Sequence, residues 1–212
     1  RPFTADNWAT PQALTVTGVD DEVDDGDITT TLTATASDTG GYDGSEEAST
    51  TVITTDDDSA GITITQTGST DGSGNLLTAE DGDSSTFTVV LDAKPTANVT
   101  VSLTGTDSSE HLLSHSALTF TADNWDTAQT ITVTGIDDTT LDGDITTTLT
   151  ATASNTGGYD GNEEATTTVI TTDNDTAGIT ISPAGRPDGS GCRPTPAASH
   201  SSTYTVVVDA AA

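Results

Sequence analysis

The sequence contains one cysteine, no methionine and only four lysine or arginine residues among 212, and aromatic residues make up 4% of it. Each scarcity excludes something. The lone Cys192 rules out a disulfide framework. Arg1, Lys94, Arg186 and Arg193 are scattered. With no basic patch to neutralise phosphates, nucleic acid is not an expected partner. No apolar run approaches the roughly 18–20 residues of a membrane span. No N-terminal Met, basic n-region or apolar h-region is visible, so the chain reads as a mature fragment or an interior segment. No segment combines a 3.6-residue apolar period with helix caps. His111, His115 and His200 lack zinc-ligand spacing with Cys.

Threonine and aspartate are abundant instead. Thr supplies 49 residues and Asp 27 of the 34 acids, giving a formal net charge of −30. Low hydrophobicity with high charge is a compositional mark of disorder. The strand patterning below argues for a folded chain, on the condition that the negative charge is neutralised.

Internal duplication is the largest signal. The block FTADNWATPQALTVTGVDDEVDDGDITTTLTATAS, from Phe3, returns as FTADNWDTAQTITVTGIDDTTLDGDITTTLTATAS, from Phe120. The offset of 117 runs without a gap through GGYDG and TTTVITTDND. It extends to DGSG at Asp71 and Asp188, and to STFTVVLDA at Ser85 against STYTVVVDA at Ser202. A period of 117 residues is too long for a solenoid unit and suits one β-sandwich. The expected organisation is a complete repeat at 60–175, the C-terminal part of a preceding repeat at 1–59, and the N-terminal part of a following one at 176–212. Two periods would need 234 residues, so the two partial repeats together lack 22. Two explanations stand: a window on a longer tandem array, or a subunit that shares strands with its neighbours.

Apolar residues alternate with Thr at period two. Within the complete repeat the alternation predicts seven strands, near 61–67, 85–92, 98–104, 117–121, 129–135, 144–153 and 165–172. The apolar positions run from Ile62 and Ile64 through Phe87, Val89, Leu91, Val99, Val101, Leu103, Leu118, Phe120, Ile131 and Val133 to Ile145, Leu149, Ala151, Ala153 and Val169. Thr suits the solvated face, being β-branched and polar. The expected fold is all-β, a seven-stranded Greek-key β-sandwich in tandem. Trp8, Tyr42, Trp125 and Tyr159 are expected in core or corner positions.

The acids gather where strands end. The complete repeat holds Glu80-Asp81-Gly-Asp83, Asp137-Asp138, Asp142-Gly-Asp144 and Asp173-Asn174-Asp175. The preceding one holds Asp20-Asp21-Glu22, Asp24-Asp25-Gly-Asp27 and Asp56-Asp57-Asp58. Adjacent carboxylates repel unless a cation lies between them. Ca²⁺, with six to eight oxygen ligands drawn from flexible loops, suits them better than octahedral Mg²⁺. For any single Asp, a turn residue is the default reading. Several clusters recurring at one period favour calcium.

LTFTADNWDTAQTITVTGIDDTTLDGD, followed by TTTLTATAS and TTTVITTDND, resembles the second half of a Calx-β domain. The whole TVTG…DD…DGD…YDG…DND pattern is similar to Ig-like tandem repeats of large bacterial surface and adhesin proteins. The resemblance covers nearly the whole chain. It implies a sandwich binding Ca²⁺ at one end, with ligands at Glu80, Asp137, Asp138, Asp173 and Asp175, and Asn174 beside them. In the preceding copy it implies Asp20, Asp21, Asp56, Asp57 and Asp58. The acids of the two DGD turns, Asp142 and Asp144 with Asp25 and Asp27, join the candidate set from their position alone. TGTDSSEHLLS does not show the family's pattern, so Asp107 and Glu110 stay outside it. In the third copy TPAASH replaces TAEDGD, with Ala197 at the place of Glu80. That site is expected to be weak or absent.

The expected function is mechanical: a calcium-stiffened repeat of an extracellular bacterial surface protein or filament. Its partners would be neighbouring repeats or identical subunits, head to tail. The alternative is an adhesin module for a glycan or other surface ligand. An ice-binding row at Thr146, Thr148, Thr150 and Thr152 is a weaker reading, since solvent-facing Thr explains it equally well. No enzyme is expected, because no nucleophile constellation accompanies the acids, and Cys192 beside Arg193 reads as a stray residue of a divergent Pro/Gly/Ser-rich stretch. Asn98 and Asn174 open sequons that matter only in a glycosylating host.

Overall fold

The structure, a computed structural model, describes residues 2–183 and 203–211. Cys192, Arg193, Ala197 and His200 lie outside the described residues, as do Arg1 and Arg186. The chain divides into two compact units, Arg1–Ser59 and Ala60–Ala212.

The first unit holds one hairpin. β1 (Ile28–Thr35) and β2 (Glu47–Thr54) pair antiparallel, from Ile28 opposite Thr54 to Thr35 opposite Glu47. The turn between them carries Gly40, Gly41 and Gly44 at positive φ, backbone that only glycine enters without a steric cost. Most of the unit is exposed, including Trp8 and Tyr42. Their expected burial does not occur, because within this unit a two-stranded sheet has no second layer to close against.

The second unit contains the sandwich. Its strands are β3 (Ile62–Gln66), β4 (Leu76–Ala79), β5 (Ser84–Leu91), β6 (Val99–Thr104), β7 (His111–Leu113), β8 (Ala117–Phe120), β9 (Gln129–Gly135), β10 (Ile145–Ala153) and β11 (Glu164–Thr172). One sheet runs β4-β11-β10-β6-β8 and the other β3-β5-β9-β7. Neighbours distant in sequence, β5 with β9 and β6 with β10, give the crossing connections of a Greek key. A separate hairpin joins β12 (Thr176–Pro183) to β13 (Tyr204–Ala211).

Period-two patterning explains the layers. In β5 the inward residues Phe87, Val89 and Leu91 are buried, and in β6 so are Val99, Val101 and Leu103. Facing strands add Ile131, Val133, Leu149 and Val169. Each fully buried Val, Leu, Ile or Phe contributes about 1.5–3 kcal/mol of apolar burial. Tyr159 closes one corner: its hydroxyl donates to the Ala93 carbonyl at 2.8 Å and accepts the Ala93 N–H at 3.3 Å. Trp125 packs half-buried against the same core.

Nine strands, not seven, form the sandwich. The two additional ones, β4 and β7, are four and three residues long. β4 lies parallel to β11, and β7 lies antiparallel to the end of β9, so their existence depends on distant partners.

Candidate metal centre

One end of the sandwich collects the termini of several strands. β4 ends at Ala79, immediately before Glu80, and β11 ends at Thr172, immediately before Asp173-Asn174-Asp175. The parallel pairing of Thr172 with Ala79 brings these two exits side by side. β9 ends at Gly135 and opens the loop through Asp137 and Asp138, which carries Asp142 and Asp144 into the start of β10. The pairing of His111 with Gly135 adds Glu110 to the same end. Gly135 permits this convergence. A β-carbon there would stand 2.0 Å from the Ala79 carbonyl oxygen, so only glycine lets β4 and β9 come this close.

Two groups of three carboxylates result. Glu80, Asp173 and Asp175 each offer an oxygen within 4.8 Å of the others, and so do Glu110, Asp138 and Asp142. Asp175 is 5% exposed, and neither of its carboxylate oxygens has a hydrogen-bond partner. Glu110 is buried with Oε2 equally unpartnered. Glu80 is buried too, and its Oε2 accepts only the Asn174 N–H, at 3.3 Å. Burial pushes the carboxyl groups of Glu80, Glu110 and Asp175 above the usual carboxylate range, and neighbouring carboxylates push the same way. For Asp175 those neighbours are Asp173, Asp138, Asp137 and Asp142; for Glu110 they include Asp142, Asp107 and Glu80. The two groups therefore share one electrostatic field.

The loops holding these groups are fastened by members of the groups themselves and by Asp144. Asp173 Oδ2 accepts the Gly143 N–H at 2.7 Å, and its Oδ1 accepts the Asp175 N–H at 2.7 Å. Asp144 Oδ1 accepts the Asp173 N–H at 3.2 Å, and Asp138 Oδ1 accepts the Thr140 N–H at 2.6 Å. Asp137 and Asn174 are exposed and, with Asp144, lie outside the two groups.

The first unit has a third group, Asp20, Asp57 and Asp58. Burial and the charges of Glu22, Asp56, Asp57 and Asp20 push the Asp58 carboxyl up. Asp56 serves as a fastener: its Oδ2 accepts the N–H groups of Asp25 and Gly26 at 2.9 and 2.6 Å, while its own N–H donates to Asp27 Oδ1 at 3.0 Å. Asp21 Oδ1 accepts the Val23 N–H at 2.9 Å. Asp21, Asp25, Asp27 and Asp56 thus shape the loops without joining the group.

Glu110 is the group member that the sequence reading sets aside, because TGTDSSEHLLS does not show the family's pattern. Its segment falls in the stretch 96–117, which has no second copy in the chain, so no repeat flagged it. The available signal was an acid one residue before the apolar pair Leu112 and Leu113.

The residues present fit a hard divalent cation. Ca²⁺ takes oxygen ligands at 2.3–2.6 Å, so two ligands of one ion stand at most about 5 Å apart, and both groups of the sandwich meet that limit. Among the described residues no cluster of basic side chains is present to neutralise them. Lys94, on the segment between β5 and β6, is the one Lys or Arg among the described residues. His111 is buried beside Glu110 with both ring nitrogens unpartnered, and burial lowers its basicity.

The fold and its acidic end define an all-β sandwich module with carboxylate-lined loops. No family model and no curated protein matches the sequence. Among solved structures, the chain is similar to the apo form of the Calx CBD1 domain, with a TM-score of 0.35 and 16% identity over 54% of this chain and 98% of that one. The YadV chaperone is similar at a TM-score of 0.38 and 13% identity, over 58% of this chain and 61% of that one. Domains 1–6 of the surface layer protein SbsC give a TM-score of 0.31 and 16% identity, covering 76% of this chain and 23% of that one. Likenesses this distant carry no function. Among the described residues, no helix is long and apolar enough to cross a membrane.

Proposed function

We propose that the chain is a calcium-binding structural repeat of an extracellular surface protein or filament, and that its role is mechanical rather than catalytic. The observation that carries this reading is Asp175, whose carboxylate is buried beside Glu80 and Asp173 with no hydrogen-bond partner on either oxygen. A buried, unpaired anion among other anions is costly unless a cation compensates it. Glu80, Asp173 and Asp175 would hold one ion, and Glu110, Asp138 and Asp142 a second. Calcium supplies the positive charge that lets these loops stay together at neutral pH.

The mechanical consequence follows from chain continuity. β11 ends at Thr172 and β12 begins at Thr176, with only Asp173, Asn174 and Asp175 between them. The segment leading from the sandwich to the next strand is thus also the ion-binding segment, and fixing it stiffens the exit. Extracellular modules bind calcium with Kd on the order of 10⁻⁴–10⁻³ M, which suits calcium-rich surroundings outside a cell. Calorimetry and small-angle scattering, with and without EDTA, test the proposal. The expected outcome is heat on adding calcium to metal-stripped protein, with stiffening and a higher melting temperature. No heat and unchanged scattering would refute it.

A further inference from the structure

The β12–β13 hairpin is a prefolded piece of a sandwich. Its register pairs Ile179 with Val208 and Ile181 with Val206. One repeat earlier, β3 and β5 pair Ile62 with Leu91 and Ile64 with Val89. The two registers are identical after the 117-residue shift. The surroundings are not. Phe87, Val89 and Leu91 are buried in the core, whereas their counterparts Tyr204, Val206 and Val208 are exposed, as are Ile179 and Ile181.

Residues 1–59 present the complementary deficit. The segment Gln12–Gly18 is the counterpart of β9, yet it forms no strand. Leu14 is 80% exposed where its counterpart Ile131 is fully buried. In the sandwich, Gln129 Nε2 donates to the Thr119 carbonyl at 2.9 Å, while Gln12 Nε2 is buried with no hydrogen-bond partner. β9 is a strand where β5 lies beside it, pairing Phe87 with Ile131 and Thr86 with Thr132. Segment 12–18 lacks such a neighbour.

We infer that the β12–β13 hairpin of one molecule adds to segment 12–18 of a second copy, joining molecules head to tail. The register transfers directly: Tyr204 faces Leu14, Thr203 faces Thr15, and Val206 faces Gln12. β3 packs against β10 and β11 in the sandwich, so β12 covers the inner face of β1 and β2 of the second copy. Strand addition satisfies backbone groups along a free edge, and alternate side chains set the register. The described strands of the joint give a three-strand layer, β12, β13 and segment 12–18, on a two-strand layer, β1 and β2. With −30 on each molecule, association strengthens as salt screens the repulsion. The inference rests on the apolar faces and the repeat, not on calcium.

Sedimentation velocity of the 212-residue chain over a hundredfold concentration range, at 0.15 M salt with EDTA and again with calcium, tests it. Concentration-dependent oligomers are expected in both, abolished by Val206→Asp and by Leu14→Asp while the sandwich keeps its melting temperature. In a Cys192→Ser background, Thr15→Cys and Thr203→Cys proteins mixed together are expected to form a disulfide dimer. Moving the second cysteine to Thr205 should reduce dimer yield at least several-fold. A monomer at every concentration overturns the inference. So do oligomers indifferent to both aspartate variants, a cross-link indifferent to register, and a Thr15→Cys/Thr203→Cys double variant that closes only within one molecule.

Discussion

The chain contains one sequence twice, in two settings. The turns that follow Phe3 and Phe120 are alike, although Phe120 ends β8 and Phe3 lies in no strand. Asn7 and Asn124 make equivalent turns, with the Thr10 and Thr127 N–H groups donating to their carbonyls at 2.9 and 3.0 Å. β1 pairs with β2 in the register of β10 with β11, shifted by 117 residues throughout. Gly26 and Gly143 share a φ of 75° and 79°. Burial separates the copies: Phe3 is 63% exposed and Phe120 fully buried, Tyr42 56% and Tyr159 3%. Turns and hairpins need only nearby residues. A core needs a second layer, and a strand such as β9 needs neighbours on its edges.

Paired substitutions break or sharpen this comparison. The largest contrast is expected from Phe120→Ala, which should cost about 3–5 kcal/mol in urea unfolding. Phe3→Ala should stay within about 0.5 kcal/mol. Equal losses would show that Phe3 is buried in solution.

Calcium comes next. At a free concentration a hundredfold above Kd, it should stabilise the sandwich by roughly 2.7 kcal/mol per site. Asp175→Asn or Glu80→Gln should remove most of one site's share of that gain, seen as a smaller rise in melting temperature. Asp144→Asn, outside both groups, should retain more of it. Indifference to all three substitutions would dismiss the ion sites.

Gly135→Ala should destabilise by about 1–3 kcal/mol, because the added methyl meets the Ala79 carbonyl. Gly18→Ala, in the other copy, would meet only the Thr54 methyl at 3.3 Å and should be close to neutral. Denaturant midpoints of the two variants decide this. Smaller still is the expected loss of about 1 kcal/mol for Tyr159→Phe, which removes the hydroxyl from Ala93; Tyr42→Phe should show none.

The pH dependence has a definite sign. Glu80, Glu110 and Asp175 have carboxyl groups raised in the folded state. Their contribution to metal-free stability is present at low pH and is lost as pH rises through those raised values. Asp71, Asp107 and Asp160 are shifted down, so above about pH 5 they are ionised in both states and add no slope. In EDTA these carboxyls should therefore lower the melting temperature as pH rises through their raised values, while His111, whose basicity burial lowers, pulls the other way. In calcium it should rise, because protons compete with the ion. A flat EDTA profile in a His111→Gln background, where the opposing imidazole is gone, would show the acids to be solvated.

Much of the fold was legible. Alternation of apolar residues with Thr marks the seven expected strands, since solvent on one face and core on the other require it. β4 and β7 were not legible, because Leu76–Ala79 and His111–Leu113 become strands only where β11 and β9 present an edge. The acidic loops were visible as clusters, but their division of labour was not. Asp144 and Asp173 occupy similar turn contexts. Yet one fastens a loop through the Asp173 N–H, while the other also lines the ion-sized gap.

By itself the sequence determined the repeat, the hairpin registers, the glycine turns and the crowding of carboxylates at strand ends. Each follows from interactions between residues close along the chain or from simple periodicity. Tertiary structure alone decided in which copy the apolar positions are buried, which of the two matching segments becomes a strand, and that Glu110 and Asp175 end as unpartnered buried acids. Those outcomes depend on surfaces contributed by residues far away in the chain, and the same peptide reaches different ends when those surfaces differ.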